Sequence, residues 1–251
     1  MTGAEINEMD PAIRRNLAGG IFYDRDAFMD PSKFVYALAE CVKNKGVSIE
    51  EETEVTGFDV EGGKIRRVVT SRGDIVPQQV VLAAGSWSPG VARGLPFKLP
   101  VQPAKGYSVT FENPGVPLKY PVIMAEARAG VNPMGTMLRL AGTLEMPGID
   151  LSINTRRVRA VVRAVADYID GIEESVVNEN PWCGMRPCTP DGLPVVGTPV
   201  TVSNLIVATG HAMLGMTLGP GTGRLVADLA TGREPHLDPV PYDPARFQRA
   251  S

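Results

Sequence analysis

Two neighbouring stretches near the C-terminus decide the fold: Trp182–Gly197, WCGMRPCTPDGLPVVG, and Asn204–Gly232, NLIVATGHAMLGMTLGPGTGRLVADLATG. The segment Asn204–Gly210 is a short apolar run closed by glycine, which is typical of a buried parallel strand. Residues at helical spacing follow it: Leu218, Thr222, Leu225, Val226 and Leu229. The pattern predicts a strand, a glycine-rich turn and a helix, from which α/β proteins build anion and cofactor sites. A plain βα unit with glycines for close packing remains the alternative.

Start and stop signals flank the predicted helix. Thr217 can cap its N-terminus, Pro220 is tolerated in a first turn, and Gly232 ends it. Before it, Thr189–Gly192 reads TPDG, with proline second and glycine fourth, as a type I turn prefers. We interpret this turn as structural.

The N-terminal half predicts more α/β structure. Asp30 and Pro31 favour a helix start, Gly46 a helix end, and Val47–Glu50 a strand. The apolar face of that helix consists of Phe34, Leu38, Cys41 and Val42. From Val55 to Val76, paired turn residues predict a β-meander with hairpins.

Three further elements follow. Val80–Gly85 (VVLAAG) is a second buried-strand pattern that ends in glycine. Alternation in Pro96–Glu112 predicts a strand that places Lys105 and Tyr107 on one face. Thr155–Ile169 predicts an amphipathic helix with valines inward and a solvated arginine face outward.

Composition excludes several classes of protein. The 251 residues are 43% hydrophobic, enough for a substantial core, and the formal net charge of −3 argues against binding nucleic acid through phosphate contacts. No apolar run approaches the ~20 residues of a membrane span, and we see no secretion signal. The three cysteines, Cys41, Cys183 and Cys188, form no C-x-x-C pair, so we expect reduced thiols in a cytoplasmic protein.

The two C-terminal stretches resemble a known family. W-x-G-x-R-P-x-T-P-D-G-x-P-V-V-G followed by A-T-G-H-x-x-L-G-x-T-L-x-P-G-T-G-R-L-x-A-D-L resembles the C-terminal signature of FAD-dependent D-amino acid dehydrogenases, within the wider glycine oxidase and D-amino acid oxidase group. The match includes the uncommon residues Trp182, Arg186 and His211. Ala212 and Met216 depart from it, since a glycine and an aromatic residue are expected there.

The resemblance implies a mixed α/β fold. Residues 1–93 and 182–251 would form a partial FAD-binding, Rossmann-like layer, and residues 94–181 a substrate domain with an antiparallel sheet and helices. It also implies an oxidoreductase that oxidises a D-amino acid, or a related amine or imino acid, by hydride transfer to the flavin.

The resemblance also implies site residues. Arg186 would hold the substrate carboxylate, with Tyr107 and His211 as further substrate contacts. The implied FAD contacts are Val55, Ala84, Gly85, Trp87, Gly210, His211, Met213, Leu214, Gly215 and Thr217. The alternatives are a surface ion pair for Arg186, a core position for Tyr107 and a packing role for His211. We expect no acid–base residue and no metal site.

The family's G-x-G-x-x-G turn, which holds the FAD pyrophosphate, does not occur in this sequence. The nearest string, Gly221–Val226, fails at its last glycine. We therefore expect the Gly-rich dinucleotide-binding half to come from elsewhere, for example a complementary chain, and apolar strand edges to be exposed. The competing hypothesis is a truncated, non-catalytic domain or an assembly subunit without flavin.

Overall fold

The computed structural model describes residues 1–14, 16–172 and 181–248. Within those ranges the helices are α1 (Gly3–Met9), α2 (Pro31–Lys43), α3 (Ser88–Val91), α4 (Thr155–Ala166) and α5 (Gly215–Ala230). The strands are β1 (Val55–Glu61), β2 (Lys64–Thr70), β3 (Val80–Leu82), β4 (Gln102–Glu112), β5 (Val122–Met124), β6 (Ala129–Met134), β7 (Met137–Glu145), β8 (Pro181–Cys188), β9 (Val195–Gly197) and β10 (Leu205–Thr209). Short 3-10 helices occur at Gly85–Trp87, Val240–Tyr242 and Pro244–Phe247. The predicted mixture of helices, antiparallel strands and parallel strands is confirmed.

The chain divides into two compact units. The first unit consists of Met1–Leu38, Lys105–Glu145 and Asp150–Gly184, and the second unit of Ala39–Ala104, Met146–Ile149 and Met185–Ser251. The assignment of residues 1–93 and 182–251 to the cofactor, and of 94–181 to the substrate, stays a prediction.

The main framework of the first unit is a sheet with one covering helix, and β4 to β7 in this sheet pair antiparallel. Its strand order is β5-β6-β7-β4-β8, and α4 packs against β6 and β7. The valines of α4 are buried, as predicted: Val158, Val161, Val162 and Val165. Gly142 on β7 lets the helix approach closely, because an added Cβ atom there would lie 3.1 Å from a methyl group of Val161. Each buried valine contributes about 1.5–3 kcal/mol of hydrophobic stabilisation.

A small mixed sheet and a hairpin form the framework of the second unit. β3 pairs with β10 in parallel, from Val80 opposite Leu205 onward, and β9 pairs with β10 antiparallel. The predicted meander is confirmed for its first hairpin, β1–β2, and after Arg72–Gly73 a single bridge pairs Val68 with Ile75. Asn204 connects the hairpin to the start of β10, since its side chain accepts a hydrogen bond from Ile65 N (2.8 Å) and donates one to Ile65 O (2.9 Å).

The predicted strand Val47–Glu50 is wrong. No strand of the described residues pairs with it, and Val47 and Ile49 are 51% and 39% exposed. Because a strand is stabilised by bonds to a neighbour, an apolar run without one does not form a strand. The helix before it is confirmed, with Asp30 Oδ1 accepting hydrogen bonds from the first-turn N–H groups of Ser32 and Lys33.

The start of α5 also differs from the prediction. The helix begins at Gly215 and its N-cap is Leu214, so Thr217 lies inside the helix and is not its cap. Pro220 falls in the second turn, where it leaves the Met216 carbonyl without its usual N–H donor. The predicted stop is confirmed, since Gly232 has a φ of +65°. None of the described helices is long and apolar enough to cross a membrane.

Candidate functional site

The ends of the parallel strands β3 and β10 meet at one edge of the small sheet. The Thr209 hydroxyl donates a hydrogen bond to the Gly85 carbonyl oxygen over 3.0 Å. A glycine with positive φ follows each strand: Gly85 (+53°), three residues after β3, and Gly210 (+84°), directly after β10. The chain therefore turns sharply at both positions, and it brings Ala84, Gly85, Gly210 and His211 to the same edge, where open α/β sheets bind their ligands.

The two glycines have different surroundings. An added Cβ atom at Gly85 would meet no heavy atom within 4 Å, so its backbone is open to close approach. At Gly210 a Cβ atom would lie 2.6 Å from the Thr189 Cγ2 atom. The TPDG turn, closed by a hydrogen bond from Gly192 N to Thr189 O over 3.3 Å, thus packs directly against the end of β10.

The N-terminus of α5 follows this edge without a side-chain cap. Leu214 offers no acceptor to the first-turn N–H groups, and Met213 beside it is 75% exposed. A helix N-terminus carries roughly half a positive charge together with N–H groups that lack helical partners. Gly215 and Thr217 are also exposed, so this end of the helix is suited to a partly negative group.

His211 lies half-buried between the end of β10 and α5. Its Nε2 atom is 2.8 Å from the Thr222 hydroxyl, and burial lowers the pKa of the imidazole. The neutral ring is therefore favoured. The next residue, Ala212, has a φ of +47°, and its N–H donates to the Pro187 carbonyl oxygen over 2.9 Å. The position where the family pattern has glycine thus has a backbone conformation that favours glycine.

Arg186 lies on β8 and is half-buried. Burial lowers the pKa of its guanidinium group, which nevertheless remains charged in proteins. Cys188, two residues along the strand, lies on the same face, and burial raises the pKa of its thiol while the Arg186 charge opposes that shift. A half-buried, charged guanidinium can bind a carboxylate with two parallel N–H groups.

Two further predicted FAD contacts, Trp87 and Val55, lie in the second unit. Trp87, in the 3-10 helix that begins at Gly85, has an exposed ring, and Val55 packs against the apolar core that contains Leu82. The hydroxyl groups of Ser86 and Ser88 are buried without a hydrogen-bond partner among the described residues. The roles predicted for the site residues stay predictions.

Tyr107 lies in the core of the first unit. It is 1% exposed, and its hydroxyl donates a hydrogen bond to the Glu145 carboxylate. Lys105, 2% exposed, donates to Asp150 Oδ2 (2.7 Å) and to the Ser152 carbonyl oxygen (3.0 Å). Tyr107 therefore occupies a core position, which was the alternative considered from the sequence. A contact between Tyr107 and the substrate stays a prediction.

The carboxylates of this network could not be found from sequence. Glu145 also forms ion pairs with Lys105 (3.5 Å) and Arg157 (2.5 Å). The hydrogen bond from Lys105 lowers the pKa of Asp150 to about 2. The sequence indicated only that Lys105 and Tyr107 share one face of a strand. Their carboxylate partners could not be inferred, because Asp150, for example, is 45 positions further along the chain than Lys105.

The contact between Trp182 and Gly184 explains the two-residue spacing of the W-x-G motif. A Cβ atom on Gly184 would lie 2.1 Å from the Trp182 ring, so the indole lies over the glycine two residues further along β8. Any larger residue at 184 would displace the ring. This motif is therefore accounted for by packing within the strand.

Comparison with known proteins identifies the family. Residues 1–229 match the DAO family, described as FAD-dependent oxidoreductase. The chain belongs to this family. A D-amino acid dehydrogenase from Paramagnetospirillum magneticum is 39% identical over 239 residues, which cover 92% of this chain and 56% of that protein. The protein of the same name from Sinorhizobium medicae is 34% identical over 242 residues, which cover 94% of this chain and 56% of that protein. The chain thus spans about half the length of these curated relatives.

Solved structures place the fold in the same group. Glycine oxidase from Geobacillus kaustophilus superposes with a TM-score of 0.90 at 29% identity, over 98% of this chain and 66% of that chain. L-proline dehydrogenase from P. horikoshii gives a TM-score of 0.86 at 26% identity, over 99% of this chain and 68% of that chain. The fold is that of the FAD-dependent DAO oxidoreductases.

The edge formed by β3 and β10 fits the family's cofactor. FAD is a planar ring system joined to a pyrophosphate, and it requires close backbone approach and N–H donors. Open space above Gly85 and the uncapped N-terminus of α5 meet both needs. Gly219, Gly221 and Gly223 add no side chain to that helix, and a Cβ atom at each would meet nothing within 4 Å.

Proposed function

We propose that this chain is part of an FAD-dependent oxidoreductase of the D-amino acid dehydrogenase type. Its substrate is a D-amino acid or a related amine or imino acid, which places it in amino acid catabolism. The observation that carries the proposal is the parallel pairing of β3 with β10, joined by the Thr209–Gly85 hydrogen bond and followed by an uncapped helix N-terminus. The names of the curated relatives support the substrate class.

When bound, FAD supplies the acceptor for a hydride from the substrate α-carbon. The residues of this chain bind and orient. Arg186 binds the substrate carboxylate through its planar fork of donors. The N-terminus of α5 would stabilise negative charge that develops on the flavin. His211, held neutral by burial, is a hydrogen-bonding contact and moves no proton in this proposal.

A complementary polypeptide that supplies a Gly-rich dinucleotide-binding half is part of the proposal. Support comes from α2, which has an apolar face and no buried residue. Phe34, Val35 and Leu38 on this helix are exposed. An uncovered apolar helix face is typical of an interaction surface. All three cysteines are free thiols, which favours the reducing cytoplasm as the location.

Two measurements test the proposal, and the second separates it from the alternative, a non-catalytic domain without flavin. The first is titration of the chain with FAD, followed by fluorescence quenching. We expect weak binding or none for the 251-residue chain alone, because no Gly-rich turn holds the pyrophosphate. Tight, stoichiometric quenching would show that no complementary half is needed.

The second measurement is substrate oxidation. The chain is co-expressed with a Gly-rich dinucleotide-binding half of a D-amino acid dehydrogenase, and reduction of a redox dye is followed with matched D- and L-amino acids. We expect turnover with D-amino acids only. A flavin-loaded complex that oxidises neither enantiomer contradicts the proposed function.

A further inference from the structure

Arg246, in the C-terminal 3-10 helix Pro244–Phe247, uses all five of its N–H donors. It forms a fork with Asp191, from Nε to Oδ2 (2.7 Å) and from Nη2 to Oδ1 (3.3 Å). Nη2 also donates to Leu193 O (2.9 Å), and Nη1 donates to Tyr242 O (2.8 Å) and Asp243 O (3.2 Å). The side chain is only 17% exposed. Such a fully engaged guanidinium holds its partners in one geometry.

The C-terminal 3-10 helix is itself anchored in the second unit. The guanidinium carbon of Arg246 lies 4.2 Å from the centre of the Phe247 ring, which packs against the apolar core that contains Val195 and Leu205. Pro244 contacts Gly197, where an added Cβ atom would lie 2.9 Å from the proline ring. Arg246 therefore extends from a fixed support.

The TPDG turn transmits this support to the candidate site. Asp191 Oδ1 also accepts from Leu193 N (3.1 Å), and Thr189 Oγ1 donates to Leu193 O (2.8 Å). The Thr189 methyl group fills the space in front of Gly210. Arg246, the turn and the Gly210–His211 corner thus form one continuous set of contacts.

We propose that Arg246 is a positioning residue for the candidate site. Through Asp191 and Leu193 it fixes the TPDG turn, which holds the corner Gly210–His211 against the end of β8. The family match ends at residue 229, so nothing in that match assigns a role to Arg246. This inference rests on the proposed function only for the identity of the ligand that His211 and its neighbours bind. The coupling itself is a property of this chain without cofactor or substrate.

Two probes report on the corner without enzymatic activity. The chain contains two histidines, so His211 and His236 give two imidazole signals in an NMR titration. Hydrogen exchange of the Ala212 N–H reports on its bond to Pro187 O. Both are measured on the full chain for wild type, Arg246→Ala, Asp191→Ala and the double variant. Arg67→Ala is the matched control, since Arg67 forms ion pairs with Asp59 and Asp74 in the same unit but away from the turn.

In Arg246→Ala we expect the His211 pKa to rise toward its ordinary value of 6.5, because a loosened turn admits water around the buried ring. Exchange of the Ala212 N–H should accelerate by about tenfold, the scale of one lost charge-assisted bond. Asp191→Ala should give the same changes, and the double variant no more than either. Arg67→Ala should leave both probes unchanged.

A purely structural role predicts a different outcome. If Arg246→Ala lowers the unfolding temperature but leaves both probes as in wild type, or if Arg67→Ala moves them equally, the inference is overturned. Should Arg246→Ala not fold, Arg246→Lys and Asp191→Asn carry the same test, since each keeps the size of the side chain and removes the fork. A flavin-loaded complex that oxidises neither enantiomer would contradict the proposed function and leave this coupling standing.

Discussion

The hydroxyl group of Thr209 donates a hydrogen bond to the carbonyl oxygen of Gly85 over 3.0 Å, and it joins two strand ends that are 124 positions apart in the chain. Thr209 is 2% exposed, so water does not replace this bond when it is lost. The bond fixes the spacing between the two turns on which the proposed flavin site depends.

Thr209→Val should therefore lower the free energy of unfolding by about 0.5–1.5 kcal/mol, because it removes one hydrogen bond to the Gly85 carbonyl oxygen, which keeps the Ser88 N–H as a second donor. Urea unfolding followed by circular dichroism measures the loss. Thr209→Ser keeps the hydroxyl group and should stay within about 1 kcal/mol of wild type, the cost of one lost methyl group. Equal stability of the valine variant and wild type would show that the bond is unimportant.

Ala212→Gly should stabilise the protein. Ala212 has a φ of +47°, a region in which a non-glycine residue costs roughly 1–2 kcal/mol, while glycine costs about 0.4–1 kcal/mol of additional unfolded-state entropy. The expected net gain is about 0.5–1 kcal/mol, measured by thermal or urea unfolding. Ala208→Gly, within β10, is the control and should destabilise instead. A loss of stability in Ala212→Gly would argue against a strained backbone.

Arg186→Lys should lower kcat/KM by about ten- to a hundredfold in the flavin-loaded enzyme, because the charge remains but the fork of donors is lost. Arg186→Met should cost more. Flavin content should not change in either variant. Steady-state kinetics with a D-amino acid and with its decarboxylated amine provide the comparison. An equal loss on both substrates would mean that Arg186 does not recognise the carboxylate.

Acid stability should depend on the Lys105–Asp150 pair. The hydrogen bond from Lys105 lowers the pKa of Asp150 from 3.8 to about 2, so the folded state favours the ionised carboxylate. Its contribution is complete above pH 3.8 and disappears as the pH falls through about 2. Asp150→Asn should therefore be less stable than wild type at neutral pH, and the difference should shrink across that window.

Urea midpoints measured between neutral pH and pH 2 provide this test. Asp170→Asn, at the exposed pair with Arg14, is the control for loss of a carboxylate at the surface. A difference between Asp150→Asn and wild type that stays constant with pH would show that ionisation of Asp150 does not stabilise the fold.

Local sequence patterns predicted much of the second unit and the sheet-covering helix of the first. Asp30 and Gly46 marked the ends of α2, paired glycines marked the β1–β2 hairpin, and valine spacing marked α4. These features depend on residues a few positions apart, so periodicity and turn chemistry suffice to find them. The strand predicted at Val47–Glu50 does not form. A strand needs a neighbouring strand to pair with, and a local pattern carries no information about that neighbour.

The sequence by itself thus determined most of the local elements, the family resemblance and the candidate residues Arg186 and His211. Tertiary structure alone decided which distant groups meet: Thr209 with Gly85, Lys105 with Asp150, and Arg246 with Asp191. These contacts are 124, 45 and 55 positions apart. They form because hydrophobic burial closes the long loops between them, and the hydrogen bonds then satisfy polar groups enclosed by that burial.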